Sequence, residues 1–418
     1  MTTIFRGNIV HTPRLGELKT IPRGYLVLED GVIDGLYDHL PHRYDGVPVE
    51  DWGDRLIMQS FADMHVHAPQ YAMEAIGMDL PLLEWLQTYA FPTEARYADT
   101  EFARRTYRRL ARELISWGTT RVAMFSSLHT DATLILMEEL EKAGICGYVG
   151  KVNMDRNGGE NLQETTEESL RETVRWLDSC HFAHIHPIIT PRFTPSCTDE
   201  LMRGLGKLGR ERGLYVQSHL SENLSEMEWV RQLHPDCRRY WETYQKFGMW
   251  RSHTIMAHCV HSDVREQEAI RDANVLVAHC AASNVNLCSG TAPVREMLDR
   301  GLWVALGSDV AGGDHLSMAR NIEHAIRASK IRRIESNWHT PFLTVAEGLY
   351  LGTTAGHRYF GAGNGFAKGD KLHAIVVDDS ALPEGVRELT VRERAERLVY
   401  QMRQEFITAV YSDSRRVR

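Results

Sequence analysis

The chain has 418 residues, of which 43% are apolar and 25% charged, the balance of a globular protein with a large core. A net charge of −8 speaks against a nucleic-acid backbone or an anionic membrane as the main partner, and no apolar run approaches the roughly 18 residues of a membrane span. Seven cysteines, an odd number with no Cys-x-x-Cys pair, read as reduced thiols of a cytoplasmic protein rather than as a disulfide framework or a cysteine zinc site.

The first 58 residues do not read as alternating strand and helix. Residues 25–33 hold two apolar runs around Asp30-Gly31, a hairpin signal, and a matching run at 374–378 follows the glycine-rich stretch 361–369. Segments 1–58 and 356–380 are therefore expected to pair into a small β-sandwich. Between them, eight β-rich runs alternate with helical stretches: 61–66, 120–125, 145–152, 186–190, 214–217, 254–257, 275–278 and 303–306. Helical spacing appears at 101–117, 131–143 and 165–177. This pattern predicts a (β/α)8 TIM-type barrel over 59–355, with function at the C-terminal ends of its strands. Thr390-x-x-Glu393 is a capping box, and Val391, Ala395, Leu398, Met402 and Phe406 recur on one face. Residues 381–418 are accordingly expected to form a C-terminal helix.

Metal-ligand residue types gather where those strands end. His65 and His67 close the first run, and the i, i+2 spacing turns both imidazoles to one face. His184 and His186 share that spacing but precede their run, which places them at the opposite end of the barrel as structural residues. His219 follows the fifth run, with Glu222 three residues on; His258 follows the sixth and Asp309 the eighth. Any one of these is weak, but histidines and a carboxylate at successive strand ends fill a zinc shell that keeps room for water.

On these residues the chain resembles the amidohydrolase superfamily, whose Phe-x-Asp-x-His-x-His, strand-five His, strand-six His and strand-eight Asp are matched by 61–67, His219, His258 and Asp309. No lysine ends the fourth run, where Thr190-Pro191-Arg192-Phe193 stands, so the resemblance implies one zinc rather than two. Asp79-Leu80-Pro81-Leu82-Leu83-Glu84-Trp85-Leu86, that Thr-Pro-Arg-Phe tetrad, and the segments 67–71, 218–223 and 307–313 are similar to the members that deaminate guanine. Three departures are visible, namely Gln59-Ser60, Ala281 and His373 in place of Pro-Gly, Pro and Asp, and none falls on a ligand.

The resemblance implies zinc-dependent hydrolysis of guanine to xanthine and ammonia, in purine catabolism, by a cytoplasmic homodimer. It assigns His65, His67, His219 and Asp309 to the metal, Glu222 to proton transfer, Asp309 to the proton of the attacking water, and His258 to holding that water or the substrate. Gln70, Arg192 and Phe193, with His219, would face the purine. The physics is consistent: Phe193 offers a ring face, Arg192 a rigid donor fork for a carbonyl, and Gln70 both a donor and an acceptor. Trp85 and Tyr71 fit packing as well as ligand contact. Two other readings stay open at this point: action on another heteroaromatic ring, such as cytosine, an adenine derivative or a triazine, and a binding protein that keeps the fold without the catalysis.

Overall fold

The computed structural model describes residues 1–418 except 160 and 386. It opens with three antiparallel strands, β1 (Thr2–Arg14), β2 (Glu17–Glu29) and β3 (Val32–Tyr37). The β2–β3 turn is Asp30-Gly31, both at positive φ (50° and 77°), the backbone a tight hairpin requires. Strand β4 (Val49–Gln59) runs parallel to β1 and leads straight into β5 (Phe61–His67).

From β5 onward strands alternate with helices: β6 (Thr119–Phe125), β7 (Cys146–Gly150), β8 (Val152–Asn153), β9 (Ile185–Pro187), β10 (Thr190–Pro191), β11 (Val216–Leu220), β12 (Thr254–His258), β13 (Leu276–His279) and β14 (Trp303–Leu306). All eight expected runs carry strand, two of them split into short pairs. Two parallel four-stranded sheets result, β5-β6-β7-β9 and β11-β12-β13-β14, with β8 and β10 paired beside them. The sheets meet at both margins. At one, Ile189 bridges Val216 and accepts the N–H of Gln217 at 2.9 Å; at the other, the N–H of Asp309 reaches the carbonyl of His65 at 2.8 Å. Strands β5, β6, β11 and β12 are buried along their whole length, as parallel strands covered by helices must be. The helix Thr100–Ser116 supplies part of that cover. Asp99 caps it, and Ala103, Tyr107, Leu110, Ala111 and Leu114 form its buried stripe.

The C-terminal part departs from expectation. Strand β15 (Ala374–Val377) pairs with β4 as anticipated, but the helix of the tail covers only Val391–Gln401. Residues Ile407–Ser412 form β16 against β15, and Arg415–Arg416 form β17 against β16. The apolar spacing that suggested a longer helix ends at Met402, its C-cap, and the β-branched and aromatic run Ile407-Thr408-Ala409-Val410-Tyr411 completes the sheet instead. Hydrogen bonding joins the terminal segments into one seven-stranded sheet, in the order β17-β16-β15-β4-β1-β2-β3. Among the described residues no helix is long and apolar enough to cross a membrane.

Candidate active site

The strand ends bring the predicted residues together. His65 and His67 fall within the last three residues of β5, His219 sits one residue before the end of β11, and His258 closes β12. The last two therefore belong to their strands rather than following them. Asp309 comes just after β14. Oδ1 of Asp309 is 3.1 Å from Nε2 of His65 and 3.5 Å from Nε2 of His67, and the Nε2 atoms of His67 and His219 are 3.1 Å apart. Nε2 of His258 is 3.5 Å from Glu222 Oε2 and 3.7 Å from Asp309 Oδ2. Ser221, His258, Cys259 and Asp309 all have positive φ (47°, 73°, 51° and 49°). Such turns cost non-glycine residues about 1–3 kcal/mol each and characteristically stand at functional sites.

Surrounding groups orient these side chains. Nδ1–H of His219 donates to the carbonyl of Arg192 at 2.6 Å, and Nδ1–H of His258 donates to Asn284 Oδ1 at 2.8 Å, so each Nε2 lone pair faces the cluster. Asp63, the acid of the His-x-His motif, accepts the N–H and the hydroxyl of Ser308 at 2.9 and 2.5 Å, pinning the turn that carries Asp309. Phe125 packs among the imidazoles, with ring centroids 4.9, 4.7 and 5.0 Å from His65, His67 and His219.

The donor set fits a metal ion. Ligand atoms of His65, His67 and His219 lie within 4.8 Å of one another, as do those of His65, His258, Cys280 and Asp309. Neither ring nitrogen of His65, nor Nδ1 of His67, has a well-aligned hydrogen-bond partner among the described residues, although all are buried. Burial holds His65, His67 and His219 below the ordinary imidazole range, which keeps them neutral, as ligation requires. Burial alone would raise Asp309, but the imidazoles of His65, His258 and His67 hold its carboxyl well below the usual range. Cys280, a neighbour the sequence did not single out, donates its thiol proton to the carbonyl of Ala278 at 3.5 Å and so presents no thiolate.

The cluster forms the floor of a cavity whose walls include Gln70, Trp85, Arg192, Phe193 and Glu222. Burial, and then the charge of Asp309, push the carboxyl of Glu222 up to about 8. Its Oε1 accepts the hydroxyl of Ser289 at 3.3 Å. Glu222 does not cap the helix that follows. Asn223 does, reinforced by Glu226, whose carboxylate accepts the N–H groups of Glu222 and Asn223 at 3.0 and 3.2 Å. Phe193 meets His219 and Trp229 edge-on, at centroid distances of 6.4 and 6.1 Å. Trp85 lines the cavity and Tyr71 does not; the Tyr71 hydroxyl donates to Glu113. His184 and His186 stand apart from the cluster on β9 and the residue before it, His186 being exposed.

The amidohydrolase family model matches residues 56–417. A guanine deaminase of Dictyostelium discoideum is 35% identical over 85% of this chain and 83% of its own length, and that of Mus musculus is 39% identical over 78% and 73%. The chain belongs to the guanine deaminase family of amidohydrolases. A solved guanine deaminase from C. acetobutylicum, with guanine bound in its active site, superposes at a TM-score of 0.96 with 41% identity, covering all of both chains.

Some residues of this site were not evident in the sequence. Asn284 and Ser289 follow β13, and their place after a strand end was a usable signal. Glu94 and Phe91, which contact Arg192, come from the short helix Phe91–Ala95 and carry no local motif.

Proposed function

We propose that this chain hydrolyses guanine to xanthine and ammonia, with His65, His67, His219 and Asp309 holding a single zinc ion. The observation that carries the reading is a buried Glu222, its Oε2 3.5 Å from Nε2 of His258, facing the donor cluster in a cavity walled by Arg192, Phe193 and Gln70. The guanine bound by the clostridial relative supports the choice of ring.

A zinc ion there would supply Lewis acidity that makes water nucleophilic near neutral pH. Phe193 presents its ring to the flat base, and Arg192 donates to the carbonyl oxygen, fixing which carbon faces the donor cluster. Asp309, an ionised carboxylate, takes a proton from the attacking water. Glu222, carrying a proton at neutral pH, donates it to the ring nitrogen beside the amino-bearing carbon, so that negative charge does not accumulate as the carbon becomes tetrahedral. His258, its tautomer set by Asn284, holds the incoming oxygen between Glu222 and Asp309. The proton taken from water then passes to the amino group; as ammonia leaves, the new hydroxyl gives its proton back to Glu222 and becomes the second carbonyl of xanthine.

The reading extends to the rest of the chain. The two parallel sheets are taken as one eight-stranded barrel over 59–355, flanked by the terminal sheet, in a cytoplasmic homodimer of purine breakdown. Incubating purified protein with guanine, and following xanthine and ammonia in equal amounts, tests the reaction. Guanine consumed without xanthine, or not consumed, overturns it.

A further inference from the structure

One wall of the cavity is held by a carboxylate for which the reaction has no chemical use. Glu94 accepts both arms of the Arg192 guanidinium, at 2.5 and 2.9 Å, with the two side chains 1% and 3% exposed. Its Oε1 also accepts Nε2–H of Gln70 at 2.8 Å, while Gln70 Oε1 accepts the N–H of Ala311 at 3.1 Å. Phe91, three residues before Glu94, lies under the guanidinium with its ring centroid 5.0 Å away. Arg192 and Gln70 line the cavity; Glu94 and Phe91 do not.

This arrangement constrains both cavity residues. The bidentate contact fixes the plane of the guanidinium and leaves three of its five N–H groups for other partners. The Gln70 amide cannot be reversed, because its oxygen would then meet a carboxylate and its nitrogen a backbone N–H. Glu94 also cancels the charge of Arg192, so the cavity offers oriented donors without an unpaired cation. That suits a neutral ring bearing a carbonyl.

We propose that Glu94 is a positioning residue for substrate recognition, acting chiefly through Arg192 on the carbonyl-bearing edge of the base; this rests on guanine being the substrate. The test is steady-state kinetics on guanine for wild type, Glu94→Gln, Arg192→Met and the double variant. Glu94→Gln is expected to raise KM roughly ten- to a hundred-fold with kcat changed by less than about fivefold, because a donor held out of place weakens binding more than chemistry. In the Arg192→Met background the same substitution should move KM by less than about twofold, since its effect runs through Arg192. An unchanged KM in Glu94→Gln, a loss confined to kcat, or an equal loss in both backgrounds overturns the proposal. Should Glu94→Gln alone not fold, the comparison of Arg192→Met with the charge-balanced double variant decides by the same twofold limit. A wild type active on guanine beside an indifferent Glu94→Gln removes this inference only, whereas a wild type inert toward guanine removes the substrate reading with it.

Discussion

Oε2 of Glu222 stands 3.5 Å from Nε2 of His258, an imidazole whose other nitrogen is tied to Asn284. The helix beyond Glu222 is capped by Asn223 and Glu226, so Glu222 is not needed there. Glu222→Gln should therefore keep zinc content and melting temperature near wild type while kcat falls by on the order of 10²–10⁴, the usual share of a positioned acid. A variant with full zinc and more than about a tenth of wild-type turnover would rule out the proton-transfer role.

Zinc should be present at one equivalent per chain. His65→Ala removes a central donor and should abolish binding, whereas His184→Ala, at the far end of its strand, should leave it unchanged. Elemental analysis of the two variants checks this; equal losses would mean that the donor set is misassigned.

Arg192→Met is expected to lower kcat/KM for guanine roughly ten- to a hundred-fold, as a substrate carbonyl loses its donor. It should also cost stability, because Glu94 is left buried without its partner, and breaking such a pair typically costs about 3–5 kcal/mol. Thermal melts beside the kinetics separate the two effects. A melting temperature unchanged from wild type would show that Glu94 finds another partner or a proton at little cost.

A Cβ at Gly313 would lie 1.8 Å from the carbonyl oxygen of Ser308, and the N–H of Gly313 donates to the carbonyl of Asp309 at 2.6 Å. The obstacle is backbone, so Gly313→Ala must open the turn that aims Asp309. Turnover should fall by on the order of 10²-fold, as expected for a reacting group displaced by about 1 Å, and zinc affinity should fall with it. Normal zinc retention at low chelator concentration would contradict this.

The donor residues were legible in the sequence because they obey two local rules, the i, i+2 spacing of His65 and His67 and the position of His219, His258 and Asp309 at strand ends. Such rules report the strand that carries a residue, not the partners that orient it. The Arg192–Glu94 pair spans 98 positions, and nothing in Phe91-Pro92-Thr93-Glu94 distinguishes a buried carboxylate from a solvated one. The tail shows the opposite failure. Helical spacing from Val391 to Leu398 ran on by coincidence through Met402 and Phe406, masking the strand Ile407–Ser412, whose burial depends on β15 some thirty residues earlier. Asp63 lay in plain sight within the histidine motif, but its partner Ser308 is 245 positions away, so its role emerged only from the fold.

Preference for the guanine ring is read from the turnover of several rings side by side. Purified protein would be given guanine, cytosine, an adenine derivative and an aminated triazine in parallel, with kcat/KM taken from ammonia release. The walls formed by Arg192, Gln70 and Phe193 predict guanine first by more than about tenfold, since a site built to hydrogen-bond one edge rejects rings that lack it. Cytosine or a triazine turned over faster than guanine by an order of magnitude would contradict it.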